Sequence, residues 1–299
     1  MKKNSKIVKS IIGVIISIIL IILCIQSEDM AQIINNTENV QNNKIMNNNI
    51  ETDGLLKIYY IDVGQADSIL VINKDKTMLI DAGNNDDGDL VVDFIKDKGI
   101  SKLDYVVGTH PHEDHIGGLD NVIKSLEIGT LYMPKIETNT KTFEDVLDAA
   151  ADKEVNLEAP KVGDKFNISD ATCEVMSSKL DKENLNLSSI VIRMEYGKQS
   201  YLFMGDAETE NENERNWPQT NVLKVGHHGA NTSSSKKFLQ QVSPEVAIIS
   251  VGKDNKYGHP KQAIIDRLNK MGIKIYRTDL NGTILITSDG EKNNIETEK

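Results

Sequence analysis

Thr109-His110-Pro111-His112-Glu113-Asp114-His115 gathers three of the chain's six histidines into six residues. No other segment of the 299-residue sequence concentrates metal-ligand chemistry so strongly. Upstream, Leu103-Asp104-Tyr105-Val106-Val107 reads as a buried strand, and downstream Ile116-Gly117-Gly118-Leu119 reads as a turn into a helix. The cluster therefore sits in a loop at a strand end. Alternate residues of an extended segment share a face, so His110 and His112 point the same way, and the turn that follows brings Asp114 and His115 to a neighbouring point. Two pairs of donors emerge from one loop. Imidazole and carboxylate without thiolate suit zinc, manganese or iron(II), and a site left partly open to water is catalytic more often than structural. A solvated histidine-rich loop is the bland alternative, and the density of donors directly after a strand argues against it.

Working outward, residues 56–63, 67–72 and 77–83 read as three strands, the last two joined as a hairpin. Residues 89–98 carry apolar side chains at 90, 91, 94 and 95 and stop at Gly99, as an amphipathic helix does. After the motif come a helix at 119–126, a strand at 130–133, a helix at 142–153 and polar strands across 155–177. A hairpin follows, residues 189–196 and 200–206 about a Gly197-Lys198 turn. Residues 221–225 form a strand running into Gly226-His227-His228-Gly229, followed by a helix at 234–242. A strand at 246–251 leads to Tyr257-Gly258-His259-Pro260, a helix at 262–271 and two final strands. Asp81, His110, Asp206, His227 and His259 each follow a strand. Groups collected at strand ends from distant parts of a chain are how mixed α/β folds assemble an active site, here in two sheet-plus-helix halves.

With 39% hydrophobic residues the chain can bury a large core, and one catalytic domain is expected over residues 54–290, with a polar tail at 291–299. Residues 7–25 are almost entirely apolar, with Lys2, Lys3, Lys6 and Lys9 before or at their start and Glu28 and Asp29 after them. That pattern predicts a single transmembrane helix with its N-terminus inside. No Ala-x-Ala pattern or small residue precedes Cys24, so residues 1–26 are expected to stay as an uncleaved anchor; cleavage would give a secreted protein instead. Residues 27–53, rich in asparagine, are expected to be a disordered linker, with the catalytic domain outside the cell membrane. Cys24 and Cys173 cannot form a disulfide within the domain, and Cys173 reads as core.

The formal charge is −11, and residues 1–26 hold four of the lysines and no acid, so the remainder is more acidic still. Such a domain does not bind nucleic acid by bulk electrostatics, and any phosphate must be drawn by a local site.

The His-x-His-x-Asp-His loop, Gly205-Asp206 at a strand end and the late His227-His228 resemble, in that order, the metallo-β-lactamase superfamily. Within it, the stretch from Tyr59 to Ser68 (Tyr-Tyr-Ile-Asp-Val-Gly-Gln-Ala-Asp-Ser), Val222-Leu223-Lys224-Val225-Gly226-His227-His228-Gly229 and Tyr257-Gly258-His259-Pro260 are similar to the hydrolase domain that forms the C-terminal part of ComEC competence proteins. The resemblance covers about residues 55–288 and implies an α/β fold of the α+β kind, a four-layer αββα sandwich. It implies two divalent ions, zinc or manganese: His110 and His112 would hold one, Asp114 and His115 the other, and Asp206 would bridge them. His228 is the preferred member of its pair to complete the second set. That leaves His227 to touch substrate or protonate a leaving group, so that His227, Asp114 and His259 make up the implied catalytic set. Asp81 either supports the loop from behind or is a core-facing turn residue. Asp62, Gln65 and Asp67 either approach the site or cap the turn at Gly64. His259, with Lys224 and Lys256, is a donor to phosphate, or else packs beside Pro260.

One departure is informative. Many superfamily hydrolases place a further histidine between the loop and the bridging aspartate, and here no histidine occurs between His115 and His227. Asn186, Ser188 and Ser189 lie where it is expected, a polar gap for water or a phosphate oxygen. ComEC-like domains and surface phosphorylcholine esterases share such depletion, which favours phosphodiester chemistry on DNA or a phosphorylated surface polymer, by a metal-activated water and with no obligate protein partner. Two readings compete with it. A lactone, thioester or amide hydrolase would use the same water, and a non-catalytic surface module would keep metal for structure alone.

Overall fold

Ser68-Ile-Leu-Val-Ile-Asn73 is buried along its whole length, which a strand achieves only when both faces of its sheet are covered. In the computed structural model, which describes residues 54–299, the side chains of this strand alternate accordingly: Leu70 and Ile72 pack among helical side chains, Ile69 and Val71 against a second sheet.

The first sheet takes β1 (Leu56–Tyr60), β2 (Ser68–Asn73), β3 (Lys76–Ala82), β4 (Lys102–Val107), β5 (Glu127–Tyr132) and β6 (Asn156–Glu158). β1 to β3 are antiparallel and β3 to β6 parallel. Parallel neighbours need crossovers, and these carry α1 (Gly88–Asp97), then α2 (Glu113–Ile116) with α3 (Leu119–Ser125), then α4 (Lys141–Asp152). The Thr140 side chain accepts from the Phe143 amide and starts α4 with an N-cap.

The second sheet repeats the plan with β7 (Lys165–Ile168), β8 (Ala171–Ser177), β9 (Val191–Tyr196), β10 (Gln199–Phe203), β11 (Val222–Lys224), β12 (Val246–Ile249) and β13 (Lys274–Arg277). Its first four strands are antiparallel, and β10 to β13 are parallel. Between the parallel strands lie α5 (Thr209–Asn213), α6 (Lys236–Val242) and α7 (Gln262–Lys270), and α8 (Thr278–Asn281) follows β13. β14 (Ile284–Ser288) then returns to the first sheet beside β1, and β15 (Asn293–Thr297) pairs antiparallel with β14.

Three apolar clusters separate four layers. Val91, Val92 and Ile95 of α1, with α3 and α4, cover one face of the first sheet. Ile58, Tyr60 and Met78 meet Met194, Tyr201 and Phe203 between the sheets. Phe238, Leu239, Ile264 and Leu268 of α6 and α7 cover the outer face of the second sheet. Each such buried side chain contributes about 1.5–3 kcal/mol, and the expected two-sheet sandwich with outer helices follows from that alternation.

One expectation is corrected. Residues 291–299 are not a free polar tail, because β15 lies within them and forms a sheet edge. Its residues are half-buried or exposed, and charge on an edge blocks pairing with other chains, which is why the stretch shows no apolar pattern. It adds a third final strand to the two expected. The polar stretch 155–177 divides between sheets, β6 ending the first and β7 and β8 starting the second. The expected anchor and linker, residues 1–53, lie outside the described residues. Among the described residues no helix is long and apolar enough to cross a membrane.

The C-terminal ends of β3, β4, β10, β11 and β12 carry the chemistry-bearing loops. In sheets of this kind the carboxyl ends of parallel strands are where ligands bind.

Candidate metal centre and active site

The histidine loop is held from beneath by Asp81. This residue, next to last in β3, has φ of 58°, a left-handed conformation that aspartate tolerates better than most side chains. Its carboxylate lies under the loop: Oδ1 accepts from the Thr109 amide at 2.8 Å, and Oδ2 from Thr109 Oγ1 at 2.8 Å. Oδ2 also meets His115 Nδ1 at 2.7 Å, so His115 presents Nε2 to the site. Asp81 is therefore a strand residue that supports the loop from behind, not a turn residue. His110 is fully buried, and its Nε2 lies 2.9 Å from His112 Nδ1.

The second sheet delivers the partners. Gly205, at φ of 52°, lies so close to the first sheet that an added Cβ would come within 3.0 Å of Thr109 Oγ1. The Asp206 amide donates to Ser189 Oγ at 3.1 Å, which fixes the carboxylate that follows. Next, His227 (φ 49°, ψ 47°) and His228 (φ 50°, ψ 24°) are both left-handed, a conformation that costs a non-glycine residue roughly 1–2 kcal/mol. Strain of that order is kept where the surroundings enforce it, commonly at functional sites. The result is that the two rings diverge, with centroids 6.4 Å apart. His228 Nδ1 donates to the Ser250 carbonyl at 2.9 Å, leaving Nε2 facing Asp114 Oδ2 at 3.4 Å and Asp206 Oδ1 at 3.6 Å. Asp206 Oδ1 also lies 3.2 Å from His115 Nε2.

Asp114, His115, Asp206 and His228 thus offer one donor each within 4.8 Å of one another. His115 Nε2, Asp206 Oδ1 and His228 Nε2 are buried and make no hydrogen bond. Buried polar atoms are almost always satisfied, and convergent orphans of this kind fit a cation among them. The electrostatics agree. Burial pulls the pKa of His115 down, but the Asp206 and Asp81 carboxylates outweigh it and raise it well above the usual histidine value. Burial likewise opposes ionisation of Asp206 and Asp114, yet the neighbouring histidines hold both below the ordinary carboxylate range. The carboxylates draw positive charge here, as a metal site does. His110, in contrast, is pushed well below the usual value, by burial first and by His115 second, which keeps its nitrogens free of an extra proton.

At the cluster opens a cavity of about 600 Å³ lined by His112, Asp114, Asn186, Asp206, His227 and His228, with the exposed Lys256 and Tyr257 and the neighbouring His259 at its rim and Glu113 and Asn84 also lining it. Asn255 accepts from the His259 amide and donates to its carbonyl, so the rim loop is fixed. Burial, then the charges of His227 and His228, press the His259 pKa down to about 4, and the ring is neutral at pH 7.

Three expected site residues are placed elsewhere. Lys224 is fully buried, its Nζ 2.7 Å from Asp67 Oδ2 and bonded to the Val225 carbonyl, so it cannot reach a phosphate in the cavity. Ser188 exchanges hydrogen bonds with the backbone of Asp181 and braces that loop. Asp62 caps the turn at Gly64 and meets Lys299, and its amide donates to Thr283 Oγ1. Asp67, by contrast, does sit behind the cluster, its Oδ1 3.4 Å from His228 Nδ1, and its amide donates to the Asp114 carbonyl. Gln65 lines the cavity and ties the rim loop down by accepting from the Gly252 amide. Glu208 was not foreseen. It is buried and accepts from Asn184 and Asn186, with Oε1 3.1 Å from His227 Nδ1. Its only mark in the sequence is a carboxylate two residues beyond Asp206.

Comparison with known proteins agrees with this geometry. A family model for the metallo-beta-lactamase superfamily matches residues 61–253. ComE operon protein 3 of Bacillus subtilis is 37% identical over 75% of this chain and 32% of its own length. Competence protein ComA of Neisseria gonorrhoeae is 32% identical over 75% of this chain and 31% of its own. The chain therefore spans about a third of the length of these curated relatives. Among solved structures, the metallo-beta-lactamase fold protein YhfI of Bacillus subtilis aligns with a TM-score of 0.55 at 11% identity, over 79% of this chain and all of that one. The diiron β-hydroxylase CmlA of Streptomyces venezuelae aligns with a TM-score of 0.51 at 14% identity, over 78% of this chain and 54% of that one. At such identities these two speak for the fold alone.

Proposed function

The chain belongs to the metallo-beta-lactamase superfamily, and from that premise we propose that this metal-dependent hydrolase is a phosphodiesterase acting on DNA or on a phosphorylated surface polymer. The observation that carries the reading is the polar cavity itself: a convergent His/Asp floor, with Lys256 and His259 on the rim of a chain whose net charge is −11. In so acidic a molecule an anionic substrate needs this kind of local site. The words competence and recombination in the names of relatives, the latter in Recombination protein 2 of Haemophilus influenzae, favour DNA.

His110, His112, Asp114, His115, Asp206 and His228 would hold the metal. Two divalent ions, zinc or manganese, would supply a water activated for in-line attack and neutralise charge on a phosphoryl oxygen. Asp81 orients His115 and the Ser250 carbonyl orients His228, so both rings keep Nε2 aimed at the cluster. His259, neutral at pH 7, offers an N–H donor rather than a charge, and Lys256 supplies the cation beside it. We read residues 7–25 as a tether that places this domain on the outer face of the cell membrane. Carbonate-resistant membrane association that is lost on deleting residues 1–26 is the expected result.

The test of the chemistry is the full-length chain, with metal content measured, assayed with manganese or zinc on single-stranded DNA, bis-p-nitrophenyl phosphate and a lactone, beside Asp114→Ala. Joint loss of metal and of phosphodiester turnover in the variant supports the proposal. Bound metal with turnover of the lactone alone overturns it.

A further inference from the structure

Asp206 divides its two oxygens between different neighbours. Oδ1 faces His115 Nε2 and His228 Nε2, at 3.2 and 3.6 Å, whereas Oδ2 faces His227 Nε2 at 3.6 Å. The spans are alike, and the first two belong to the four-donor cluster. His227 is aimed at the other oxygen by a carboxylate on its far side. Glu208 Oε1 lies 3.1 Å from His227 Nδ1, and because an ionised carboxylate only accepts, that nitrogen carries the hydrogen. Glu208 is itself fixed, with Oε2 2.9 Å from the Asn184 amide nitrogen and Oε1 3.2 Å from that of Asn186. With its hydrogen on Nδ1 the ring presents a lone pair at Nε2, which confronts a carboxylate oxygen that is also an acceptor. The Asn186 amide nitrogen, 3.5 Å from Nε2, is too distant to satisfy it. Two acceptors 3.6 Å apart with nothing between them accommodate a cation, since donors that each bind at roughly 2.0–2.2 Å span such a distance at a single ion.

The imidazoles outside the four-donor cluster, besides His227, are His110, His112 and His259; of these His112 lines the same cavity as Asp206 and His227, and its Nδ1 lies 2.9 Å from His110 Nε2. We infer that His227, held by Glu208, is the third imidazole of the ion bound by His110 and His112, so that the adjacent pair His227-His228 sends one ring to each ion. The inference rests on reading this site as a two-ion centre. It gives the two successive left-handed residues a purpose: the turn that sends His228 onto Asp114 sends His227 the other way, onto Asp206 Oδ2. Glu208 is then a positioning residue, acting through His227.

The experiment counts ions rather than turnover. The full-length chain, His227→Gly and Glu208→Gln are loaded with zinc or manganese; stoichiometry is read by elemental analysis and affinity by calorimetry. Glycine accepts the left-handed backbone at 227, so the ring is removed without added strain. The expected result is two ions per wild-type chain and one in His227→Gly, with the second restored by free imidazole. Glu208→Gln should weaken one of the two ions by about 10–100-fold, the usual loss when a ligating histidine loses its carboxylate partner. Two ions of unchanged affinity in His227→Gly would overturn the inference and return His227 to a role at the substrate. So would a wild-type chain that takes one ion. Failure of the phosphodiesterase proposal would appear as absent turnover with these stoichiometries intact, so the two are separable.

Discussion

On the first sheet, four donors come from six consecutive residues, and their main brace, Asp81, lies one strand away in the same sheet. On the second sheet, the donors come from two strand ends, after β10 and β11, and beside local supports such as the Ser250 carbonyl and Glu208 others cross between sheets. Asp67 at the edge of β2 pairs with Lys224 of β11, Ile190 donates to the Thr109 carbonyl, and Gly205 presses on Thr109. The difference is one of dependence. A contiguous motif is arranged by its own turn and one carboxylate, whereas dispersed donors take up their positions only when the two sheets dock.

Asp206 is where the contrast is broken most directly, because it faces donors from both halves. Asp206→Ala should abolish metal binding at both positions, with a loss of turnover beyond the roughly 100-fold typical of supporting residues. Retention of two ions, measured by elemental analysis, would mean the halves bind independently.

The cross-sheet pair comes next. Lys224 and Asp67 are both buried, so Lys224→Met leaves a carboxylate without its counter-charge, a change that typically costs about 3–5 kcal/mol. Denaturant unfolding should register it, and Asp67→Asn combined with Lys224→Met should recover much of the loss. An unaltered midpoint in Lys224→Met would show that docking does not rely on this pair.

The same contrast explains what could be read from the chain. His110 to His115 are legible because their order in the sequence is their order in space. Leu70 against Ile69 and Val71 shows the covered sheet by simple alternation. Lys224 reads as a phosphate donor because a lysine near a strand end ordinarily reaches solvent, and it is the pairing with Asp67 beside β2 that holds it buried. Glu208 escaped notice because its partners Asn184, Asn186 and His227 are remote in sequence. β15 escaped because an exposed edge strand need not look apolar. Asp62 stands five residues from Asp67 in one motif, yet the turn between them sends only the second towards His228.

Asp81→Asn sharpens the comparison within the first half. Asparagine tolerates the left-handed backbone and keeps the bond to Thr109, but the charge opposite His115 is gone. Metal affinity should fall by about 10–100-fold while the unfolding midpoint moves little. A large drop in stability would instead make Asp81 a structural residue of the core.

The smallest expected effect is a difference of sign with pH in the metal-stripped chain. His110 and His112 are pushed below the ordinary histidine value, mainly by burial, and His259 is pressed down to about 4. In the unfolded chain they would take up protons near pH 6.5, whereas the folded chain resists until lower pH. Unfolding therefore binds protons in that window, and stability falls as pH drops from about 6.5 towards 4. His115 and His228 run the other way: the carboxylates, overcoming burial, raise both. Their contribution is fully present below about pH 6.5 and is lost as pH rises through their folded values. Asp206 and Asp114, both depressed, lose theirs only below about pH 4, as pH falls through their folded values. The acid slope between pH 6.5 and 4 thus belongs to His110, His112 and His259, and the loss at higher pH to the rings that face Asp206. Thermal melts of the chelated chain at pH 7, 5.5 and 4.5 should show a falling midpoint, shallower in His259→Gln. A midpoint that holds or rises over that range would mean that acid drives protons onto the cluster rather than into the unfolded chain.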